Sequence, residues 1–445
     1  KLTETTACTE EDVNLAVNAA RRAFKAKIWS GLAPGERKKI LQRMSELILE
    51  HKDELAVLES LDSGRPISDI AQSDVYETAE CIAWHGEAAD KLEDQITASP
   101  SDIVSMIVRE PIGVVGAVLP WNFPMLMAAW KLGPILAAGN SVVVKPSKLT
   151  TMTMLRIAEL ALAAGVPAGV LNVVTGSGAL VGEAIALHGD VNLITFTGST
   201  AVGRTLLEYS GKSNLKRVLL ELGGKNPCIV MPNIPDLETA AEGIAQAAFW
   251  NMGENCSANS RLIVHKDIKD ALLKAVIEKT KAWTVGNPLD PQFRLGSMIE
   301  KPHMEKVLAY IETAKAEGAD LVCGGRQILQ ETGGYFIEPT IFDNVTPDMT
   351  IAKEEVFGPV LAVLTFSSEE EAVEMANDTE YGLHASIWSS DVNEVHRLSK
   401  AIQAGTVSVN CFSEGDMGTP FGGFKQAGFM GRDKPLWANR QYTEM

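Results

Sequence analysis

Val114-Val115-Gly116-Ala117-Val118-Leu119 is an unbroken apolar run with the length of one buried strand, and Ser141-Val142-Val143-Val144 repeats it after a helical pattern. Three further runs follow, separated by helical patterns of roughly 10–15 residues: Val170-Leu171-Asn172-Val173-Val174, Leu193-Ile194-Thr195-Phe196 and Arg217-Val218-Leu219-Leu220. Apolar strands that alternate with helices form parallel sheets covered by helices on both faces. Residues 112–223 therefore predict an open α/β domain, a class that often binds nucleotides.

The alternation starts again after Gly223-Gly224, with strand-like runs at Cys228-Ile229-Val230, Arg261-Leu262-Ile263-Val264, Val360-Leu361-Ala362-Val363-Leu364 and Thr406-Val407-Ser408-Val409. We therefore predict a second α/β domain. Near the start of the chain, Leu15, Ala19, Ala20 and Phe24 recur at helical spacing and predict an amphipathic surface helix. A chain of 445 residues is long enough for two such domains, each with its own core.

Composition and charge exclude several classes of protein. The chain has 46% hydrophobic residues and a net charge of −17, which argues against disorder and against a nucleic-acid partner. The most apolar stretch, residues 124–144, is interrupted by Lys131 and Pro134, so we predict no membrane span. The six cysteines form no C-x-x-C pair, and we predict neither a disulfide scaffold nor a metal site. No targeting signal is visible, and we expect a cytoplasmic protein.

Three strand ends carry residues suited to an anionic ligand. Gly176-Ser177-Gly178-Ala179-Leu180-Val181-Gly182 opens a helical pattern and offers backbone N–H groups to a phosphate, although such glycines also simply close turns. Phe196-Thr197-Gly198-Ser199-Thr200 is a second such turn, whose hydroxyls either meet a ligand or cap the helix. Lys145-Pro146-Ser147-Lys148 ends a third strand, and its lysines either meet a ribose or phosphate or are solvated. Two glycine turns in succession favour a dinucleotide.

One of the six cysteines differs from the others in its neighbours. Cys256 lies in the polar segment Phe249-Trp250-Asn251-Met252-Gly253-Glu254-Asn255-Cys256-Ser257-Ala258, which we expect to lead into a helix. The end of that helix would lower the pKa of the thiol and make it nucleophilic. Upstream, Glu221 ends a buried strand with a carboxylate, which is costly unless the group is paired or used in chemistry. Taken alone, each residue is also compatible with a structural role.

Together these segments resemble the aldehyde dehydrogenase superfamily over nearly the whole chain. The motifs occur in the family's order: Pro120-Trp121-Asn122-Phe123-Pro124, Trp130-Lys131-Leu132-Gly133-Pro134, Lys145-Pro146-Ser147, Phe196-Thr197-Gly198-Ser199, Glu221-Leu222-Gly223-Gly224-Lys225, the Cys256 segment, Glu354-Glu355-Val356-Phe357-Gly358-Pro359 and Pro420-Phe421-Gly422-Gly423-Phe424-Lys425. The resemblance implies an α/β fold of two Rossmann-like parallel-sheet domains with a small β oligomerisation element. It implies an NAD(P)-binding domain at 1–92 and 112–223, a catalytic domain at 224–424, and bridging segments at 93–111 and 425–445 that form a homodimer or homotetramer.

The resemblance also implies a reaction, the NAD(P)-dependent oxidation of a small-molecule aldehyde to a carboxylic acid. Cys256 would attack the aldehyde as a thiolate, giving a thiohemiacetal that becomes a thioester on hydride transfer. Asn122 and the backbone N–H of Cys256 would form the oxyanion hole. Glu221 would activate the hydrolytic water, and Lys131 would relay its proton outward.

Binding residues follow from the resemblance in the same way. Those implied for the cofactor are Lys145, Ser147, Lys148, Gly178, Gly198, Ser199, Leu222, Glu355 and Phe357. Those implied for an aromatic substrate channel are Trp121, Phe123, Trp130 and Phe421, although each is equally compatible with plain core packing.

Two departures from the family pattern bear on the site. Lys148 stands where many NAD-preferring members have an acid, so that NAD and NADP both remain open as cofactors. Glu254 stands where many relatives have Gln. We expect its carboxylate to point away from Cys256, because a facing carboxylate would raise the pKa of the thiol.

The substrate and two competing functions remain open at this stage. The loop at 410–417 resembles that of aminoaldehyde-oxidising members, such as γ-glutamyl-γ-aminobutyraldehyde and 4-guanidinobutyraldehyde dehydrogenases. Its acids, Glu414 and Asp416, either meet the cationic tail of an ω-aminoaldehyde or are simply solvated. A coenzyme A-acylating semialdehyde dehydrogenase would generally lack Glu221. A catalytically silent structural relative would have lost Asn122, Glu221 or Cys256, and all three are present.

Overall fold

The computed structural model of the chain describes residues 3–445, so the first two residues of the predicted 1–92 segment lie outside the described residues. Its α-helices are α1 (Glu10–Lys25), α2 (Pro34–Glu50), α3 (Lys52–Ser63), α4 (Ile67–Asp69), α5 (Val75–Ala88), α6 (Pro124–Ala137), α7 (Met152–Ala164), α8 (Glu183–Leu187), α9 (Thr200–Lys212), α10 (Leu237–Phe249), α11 (Lys269–Thr280), α12 (Lys301–Ala316), α13 (Thr350–Lys353), α14 (Glu369–Asn377), α15 (Val392–Ala401) and α16 (Leu436–Gln441). Wider π-type turns occupy Ile70–Asp74 and Gly178–Gly182, and tight turns occupy Trp250–Gly253 and Gln330–Thr332.

The strands in chain order are β1 (Gln95–Ile96), β2 (Met106–Ile107), β3 (Glu110–Pro111), β4 (Val114–Val118), β5 (Ser141–Lys145), β6 (Leu171–Val173), β7 (Leu193–Thr197), β8 (Arg217–Glu221), β9 (Pro227–Val230), β10 (Arg261–His265), β11 (Asp320–Cys323), β12 (Gln327–Ile328), β13 (Phe336–Ile337), β14 (Thr340–Asp343), β15 (Val360–Phe366), β16 (Tyr381–Gly382), β17 (His384–Trp388), β18 (Thr406–Val409), β19 (Phe424–Lys425), β20 (Gly428–Phe429) and β21 (Thr443–Glu444).

The first sheet has the strand order β20-β8-β7-β4-β5-β6, in which β20 alone is antiparallel. Every residue of β4, β5 and β7 is buried, because helices cover both faces, as the uninterrupted apolar runs predict. The register pairs Val118 with Lys145 and Thr197 with Glu221. The carboxyl ends of these strands therefore lie along one edge of the sheet.

The second sheet has the order β11-β14-β15-β10-β9-β17-β18, with β11 antiparallel to its neighbour. It builds a hydrophobic core of its own, separate from the two clusters that flank the first sheet. The prediction of two parallel-sheet α/β units is confirmed. The exact limits of the predicted domains stay a prediction.

The predicted bridging segments have two kinds of surroundings. β1 and β2 form a short antiparallel hairpin that exposes Ile96 and Val104. Strands of 425–445 pair instead within the same chain: β20 joins the edge strand β8 of the first sheet, and β21 pairs with β3 in a separate two-stranded sheet.

The first helix buries Ala20 of the predicted stripe, but the centre of its packed face is shifted away from Leu15. Val13, Val17 and Ala20 are fully buried against the first sheet, whereas Leu15 is 59% exposed. Our choice of Leu15 was wrong, because the three smaller residues also recur at helical spacing and fit closer to the strands. Among the helices of residues 3–445, none is both long enough and apolar enough to cross a membrane.

Candidate active site

The two sheets meet at the short connection between β8 and β9, residues 222–226. Here the carboxyl ends of the first sheet face the segments that precede β10 and β15 of the second. Asn226 Nδ2 donates to the backbone oxygen of Cys256 at 2.7 Å, and Gly224 N–H donates to Glu355 Oε1 at 2.8 Å. A Cβ on Gly224 would lie 2.4 Å from the oxygen of Cys256, so only glycine fits. The connection thus brings residues distant in sequence to one place, at the sheet edge where open α/β folds bind ligands.

A cavity at this meeting point gathers many of the residues predicted for the site. Its lining includes the predicted residues Trp121, Asn122, Gly198, Ser199, Leu222, Cys256, Glu355 and Phe357. His303 and Lys306 of α12 complete one wall, and the sequence analysis missed both. A His and a Lys three residues apart on a helix carry no motif, because the same spacing is common on solvated helices. Only the packing of α12 against the loop before β15 reveals them.

The nucleophile candidate follows an unusual turn at the end of α10. Asn251, Met252 and Gly253 all have positive φ, at 55°, 55° and 68°. After the turn the chain passes directly through residues 256–260 into β10. The expectation of a helix beginning near Cys256 was therefore wrong, since the chain must start a strand of the second sheet only a few residues later.

The pKa of Cys256 is shifted upward, not downward as we expected. Burial of the thiol is the largest cause, and the carboxylates of Glu221, Glu414 and Glu355 add to it. With no helix end behind it, the thiol lacks the dipole that was to stabilise the thiolate. The surroundings of Cys256 therefore favour the thiol over the thiolate.

Glu254 points away from the thiol, as we expected. Its Oε1 accepts a hydrogen bond from the backbone N–H of Ile299 at 3.1 Å and lies 3.6 Å from Nε2 of His303. Burial raises the pKa of Glu254 well above its ordinary value. The side chain thus packs beneath the site, where its carboxylate does not face Cys256 and adds no repulsion to a negative charge on the sulfur.

Glu221 is a buried carboxylate without a complete set of partners. Its side chain ends β8 and is only 3% exposed, and its Oε1 has no hydrogen-bond partner among the described residues. Burial raises its pKa well above the ordinary value and Asp433 adds to the rise, while Lys131 and Arg432 oppose it. A carboxylate in this environment is costly to folding, and a raised pKa suits a general base.

Lys131 is held by a partner that the sequence analysis missed. Its Nζ lies 2.5 Å from Oδ2 of Asp433, and both side chains are buried. Asp433 comes from the segment predicted to bridge subunits, and nothing in its sequence neighbourhood distinguishes it. The pair lies close enough to Glu221 that both members affect the pKa of that carboxyl.

Asn122 borders the cavity beside the nucleophile segment. Its Nδ2 donates to the backbone oxygen of Glu254 at 3.0 Å, which leaves the second N–H of the amide for another acceptor. Asn122 and Cys256 both line the cavity. An amide donor and a thiol in one wall can together hold a carbonyl that becomes an alkoxide.

The remaining cofactor candidates lie farther along the same sheet edge. Lys145 is buried at the end of β5, where burial and then Lys148 lower its pKa to about 8. Ser147 accepts from the N–H of Leu149 at 3.2 Å, so its hydroxyl serves the local turn. Ser199 likewise caps α9. Lys148 is exposed, and Gly178 has open space where a side chain would project.

The aromatic residues predicted for the substrate channel divide into two groups. Trp121 lines the cavity, in edge contact with His303 and Phe357. Phe123, Trp130 and Phe421 are instead buried behind the wall, at 4%, 2% and 1% exposure.

Lys434 explains part of this arrangement. Its Nζ lies 5.3 Å from the ring centre of Trp130 and 5.6 Å from that of Phe421. A protein ammonium thus already contacts both rings, and their burial leaves almost no ring surface for a substrate. For Trp130 and Phe421, the geometry fits the core alternative.

A second cavity adjoins the nucleophile segment and is strongly acidic. Its wall includes Glu414 and Asp416 of the predicted substrate loop, with Trp250 and Phe412 beside them. Four carboxylates, those of Glu77, Glu80, Glu414 and Asp416, face a single ammonium, that of Lys434. The sequence analysis missed Glu77 and Glu80, since acids on a helix are usually solvated.

The substrate loop is fixed through its backbone. His384 Nε2 donates to the oxygen of Ser413 at 3.0 Å, and Lys434 Nζ donates to the oxygens of Glu414 and Gly415 at 2.7 and 2.8 Å. Ser257, next to Cys256, donates to the Glu414 carboxylate. The acidic wall is therefore preorganised and tied to the nucleophile segment.

Fold and site together bring a thiol and a buried carboxylate to the edge of a parallel sheet at which open α/β folds bind ligands. The sequence matches the aldehyde dehydrogenase family over residues 1–445. The chain belongs to this family and is an aldehyde dehydrogenase, an enzyme that oxidises aldehydes.

Individual relatives are similar over the full chain. An aminoacetaldehyde dehydrogenase of Pseudomonas aeruginosa is 52% identical over 444 residues, covering 100% of this chain and 89% of the relative. A solved γ-glutamyl-γ-aminobutyraldehyde dehydrogenase of Burkholderia cenocepacia has a TM-score of 0.98 at 52% identity, with the same coverage of 100% and 89%. A solved indole-3-acetaldehyde dehydrogenase in complex with NAD+ has a TM-score of 0.98 at 51% identity, again covering 100% and 89%.

Proposed function

We propose that this aldehyde dehydrogenase is of the hydrolytic type, with Cys256 as nucleophile, Asn122 as oxyanion donor and Glu221 as the base for hydrolysis. The observation that carries the proposal is the buried Glu221 carboxylate with its unpartnered oxygen, close enough to Cys256 to raise the pKa of the thiol. Overall, an aldehyde, oxidised NAD and water give a carboxylate, reduced NAD and two protons.

Each residue performs one part of this reaction. Cys256 sulfur bonds to the aldehyde carbon as the thiol proton passes to solvent water, which accounts for one of the two protons released overall. The resulting alkoxide accepts hydrogen bonds from Asn122 Nδ2 and the N–H of Cys256. After hydride loss, water attacks the thioester carbon and gives one proton to Glu221. The carbon–sulfur bond then breaks, the carboxylic acid leaves and gives up its proton as the carboxylate, and Cys256 is restored as the thiol. The Lys131–Asp433 pair next to the Glu221 carboxyl gives the proton an outward route.

We propose NAD as the cofactor, and the residues at the sheet edge fit a dinucleotide. The buried hydroxyl of Thr197 lines the cavity without a partner among the described residues. A Cβ on Gly223 would lie 2.4 Å from a carboxylate oxygen of Glu355, so a side chain at this position would clash with the cavity wall. Gly198, Ser199, Leu222, Glu355 and Phe357 would hold the nicotinamide half, and Lys145, Ser147, Lys148 and Gly178 the adenosine half. When bound, oxidised NAD supplies the hydride acceptor.

NADP remains a second cofactor to test because of Lys148. In Lys148→Glu, we expect the ratio of kcat/KM for NADP to that for NAD to fall by about tenfold, since an acid repels a 2′-phosphate where an ammonium attracts it. Initial rates of NADH and NADPH formation at saturating aldehyde measure this ratio. Lys274→Glu makes the same charge change on α11 and should leave the ratio unchanged. An unchanged ratio in Lys148→Glu as well would refute the role of Lys148.

We propose an ω-aminoaldehyde as the substrate class. What supports it is the excess of carboxylates over ammonium groups in the second cavity, which favours a cationic tail. The printed names of two relatives, an aminoacetaldehyde and a γ-glutamyl-γ-aminobutyraldehyde dehydrogenase, agree with this class.

The acidic wall predicts a selective change in KM. In Glu414→Gln and in Asp416→Asn, we expect KM for an ω-aminoaldehyde to rise about fivefold or more because one attractive charge is lost. KM for an uncharged aliphatic aldehyde of equal length should stay the same. NADH absorbance with both aldehydes measures these values. The same assay with and without coenzyme A tests the acylating alternative, in which turnover would depend on coenzyme A. Glu370→Gln on exposed α14 is the control, and an equal rise for both aldehydes would contradict the proposal.

We further propose a cytoplasmic homodimer or homotetramer. The hairpin of β1 and β2 supports assembly, because it exposes Ile96, Val104 and Met106 at 76%, 77% and 65%. A reactive cysteine suits a reducing compartment.

A further inference from the structure

A buried polar network lies beneath the two loops that form the oxyanion hole. Asn251 Nδ2 donates to the backbone oxygens of both Asn122 and Glu254, each at 3.0 Å. Asn122 Nδ2 donates to the same oxygen of Glu254 at 3.0 Å. One amide, that of Asn251, therefore ties the loop of the side-chain donor to the segment that carries the backbone donor at Cys256.

The turn that presents this amide is conformationally unfavourable. Asn251, Met252 and Gly253 lie in the left-handed region in succession. A non-glycine residue rarely adopts that region, and Met has no side-chain oxygen to favour it. Such a turn persists only when its surroundings fix it, and it ends three residues before Cys256.

Arg65 is the group that fixes the turn from below. Its Nε donates to Asn251 Oδ1 at 2.6 Å, so the amide presents its Nδ2 toward the two backbone oxygens. Its remaining nitrogens contact the carboxylates of Asp74 and Glu59. All three charged side chains are at most 1% exposed.

The same cluster also reaches the second loop directly. Glu59 Oε2 accepts from the backbone N–H of Met125, in the first turn of α6 just after the Asn122 loop. The guanidinium carbon of Arg65 lies 4.2 Å from the ring centre of Phe123. Arg65 thus contacts, through one rigid fork, both the turn before Cys256 and the loop of Asn122.

We propose that Arg65 is a positioning residue of the active site, which acts through Asn251 to set the distance and orientation of the two oxyanion donors. The inference rests on the proposed function, in which Asn122 and the N–H of Cys256 hold the alkoxide. Arg65 itself lies behind the cavity wall and touches neither of the reacting groups. A lysine would satisfy the charge of Asp74 but would lack the separate Nε donor that a guanidinium directs at Asn251.

Asn251→Gly is the sharpest test, because glycine keeps the left-handed backbone while the amide is removed. We expect kcat to fall on the order of 10- to 100-fold, because displaced oxyanion donors stabilise the transition state less well. KM for NAD should stay within about twofold of the native value. Arg65→Gln should show a similar fall, and Arg65→Lys should recover the thermal midpoint but not kcat. In the double variant Arg65→Gln/Asn251→Gly, the loss in kcat should be well below the product of the two single losses, since both changes remove the path through Asn251.

The measurements are burst and steady-state NADH formation, the thermal midpoint and NAD binding by fluorescence. Arg37→Gln removes another buried arginine, which bonds the backbone at Leu32 and Ala137, and should lower the midpoint without lowering kcat. Full kcat in Asn251→Gly, full recovery of kcat in Arg65→Lys, or multiplied losses in the double variant would each overturn the proposal. Asn122→Ala separates the two levels: if it keeps full turnover, the oxyanion assignment in the proposed function is wrong instead. If Arg65→Gln does not fold, Asn251→Gly and Arg65→Lys still test the positioning role of Arg65.

Discussion

Cys256→Ala is expected to form no NADH above background with any aldehyde, a loss in kcat of at least about 10⁴-fold. The sulfur of Cys256 is the atom that bonds to the substrate carbon, and alanine leaves the cavity without a nucleophile. NAD should still bind, because alanine removes no group of the sheet edge. Absorbance at the NADH maximum with aliphatic, aromatic and ω-amino aldehydes measures the loss.

The chain offers a matched control for this substitution. Cys323→Ala removes a half-buried thiol from β11 of the second sheet and should retain full activity. Turnover that survives in Cys256→Ala would refute the nucleophile assignment, and equal losses in both variants would point to damage to the fold.

Glu221→Gln is expected to keep a rapid burst of NADH, close to one equivalent per active site, while steady-state turnover falls by about 10²- to 10⁴-fold. Hydride loss from the thiohemiacetal does not involve water and needs no base to activate it. Hydrolysis of the thioester does need such a base. Glutamine preserves the size of the side chain at the end of β8 but takes up no proton. Stopped-flow absorbance resolves the burst from the steady phase.

The pH dependence of the steady phase tests the same assignment. Burial and Asp433 raise the pKa of Glu221, so the carboxyl is protonated and inactive as a base below that pKa. In the native enzyme, kcat should therefore increase as the pH rises through the raised pKa. In Glu221→Gln that increase should disappear. Loss of the burst together with steady turnover, or an unchanged pH profile, would count against separate roles for Cys256 and Glu221.

Sequence patterns within single stretches of the chain were sufficient to predict the two parallel sheets. The strands β4, β5 and β7 are buried on both faces, so the apolar residues at successive positions correctly indicated a buried strand. The register that aligns Lys145, Thr197 and Glu221 at one edge follows from parallel pairing alone. Leu15 of α1 shows the limit, because an apolar residue at helical spacing does not reveal which of two faces packs.

The groups that the sequence analysis missed reach the site through tertiary contacts. Asp433 comes from the end of the chain to Lys131, and Glu77 comes from helix α5 to the acidic wall. After the left-handed turn at Asn251, whose side chain accepts a hydrogen bond from the distant Arg65, the chain must enter β10, so the local preference for a helix near Cys256 pointed wrongly. Each case is a long-range contact that outweighs a local tendency.

The central claim is that the aldehyde carbon becomes covalently bound to Cys256, and intact-protein mass spectrometry of Glu221→Gln tests it most directly. The variant is mixed with NAD and a neutral aliphatic aldehyde, quenched in acid during the steady phase, and then digested for peptide mapping. A thioester at Cys256 should add the mass of the aldehyde less two hydrogens, confined to the peptide that contains residues 249–258. An adduct on another residue, or an unmodified protein after a full burst of NADH, would contradict the account.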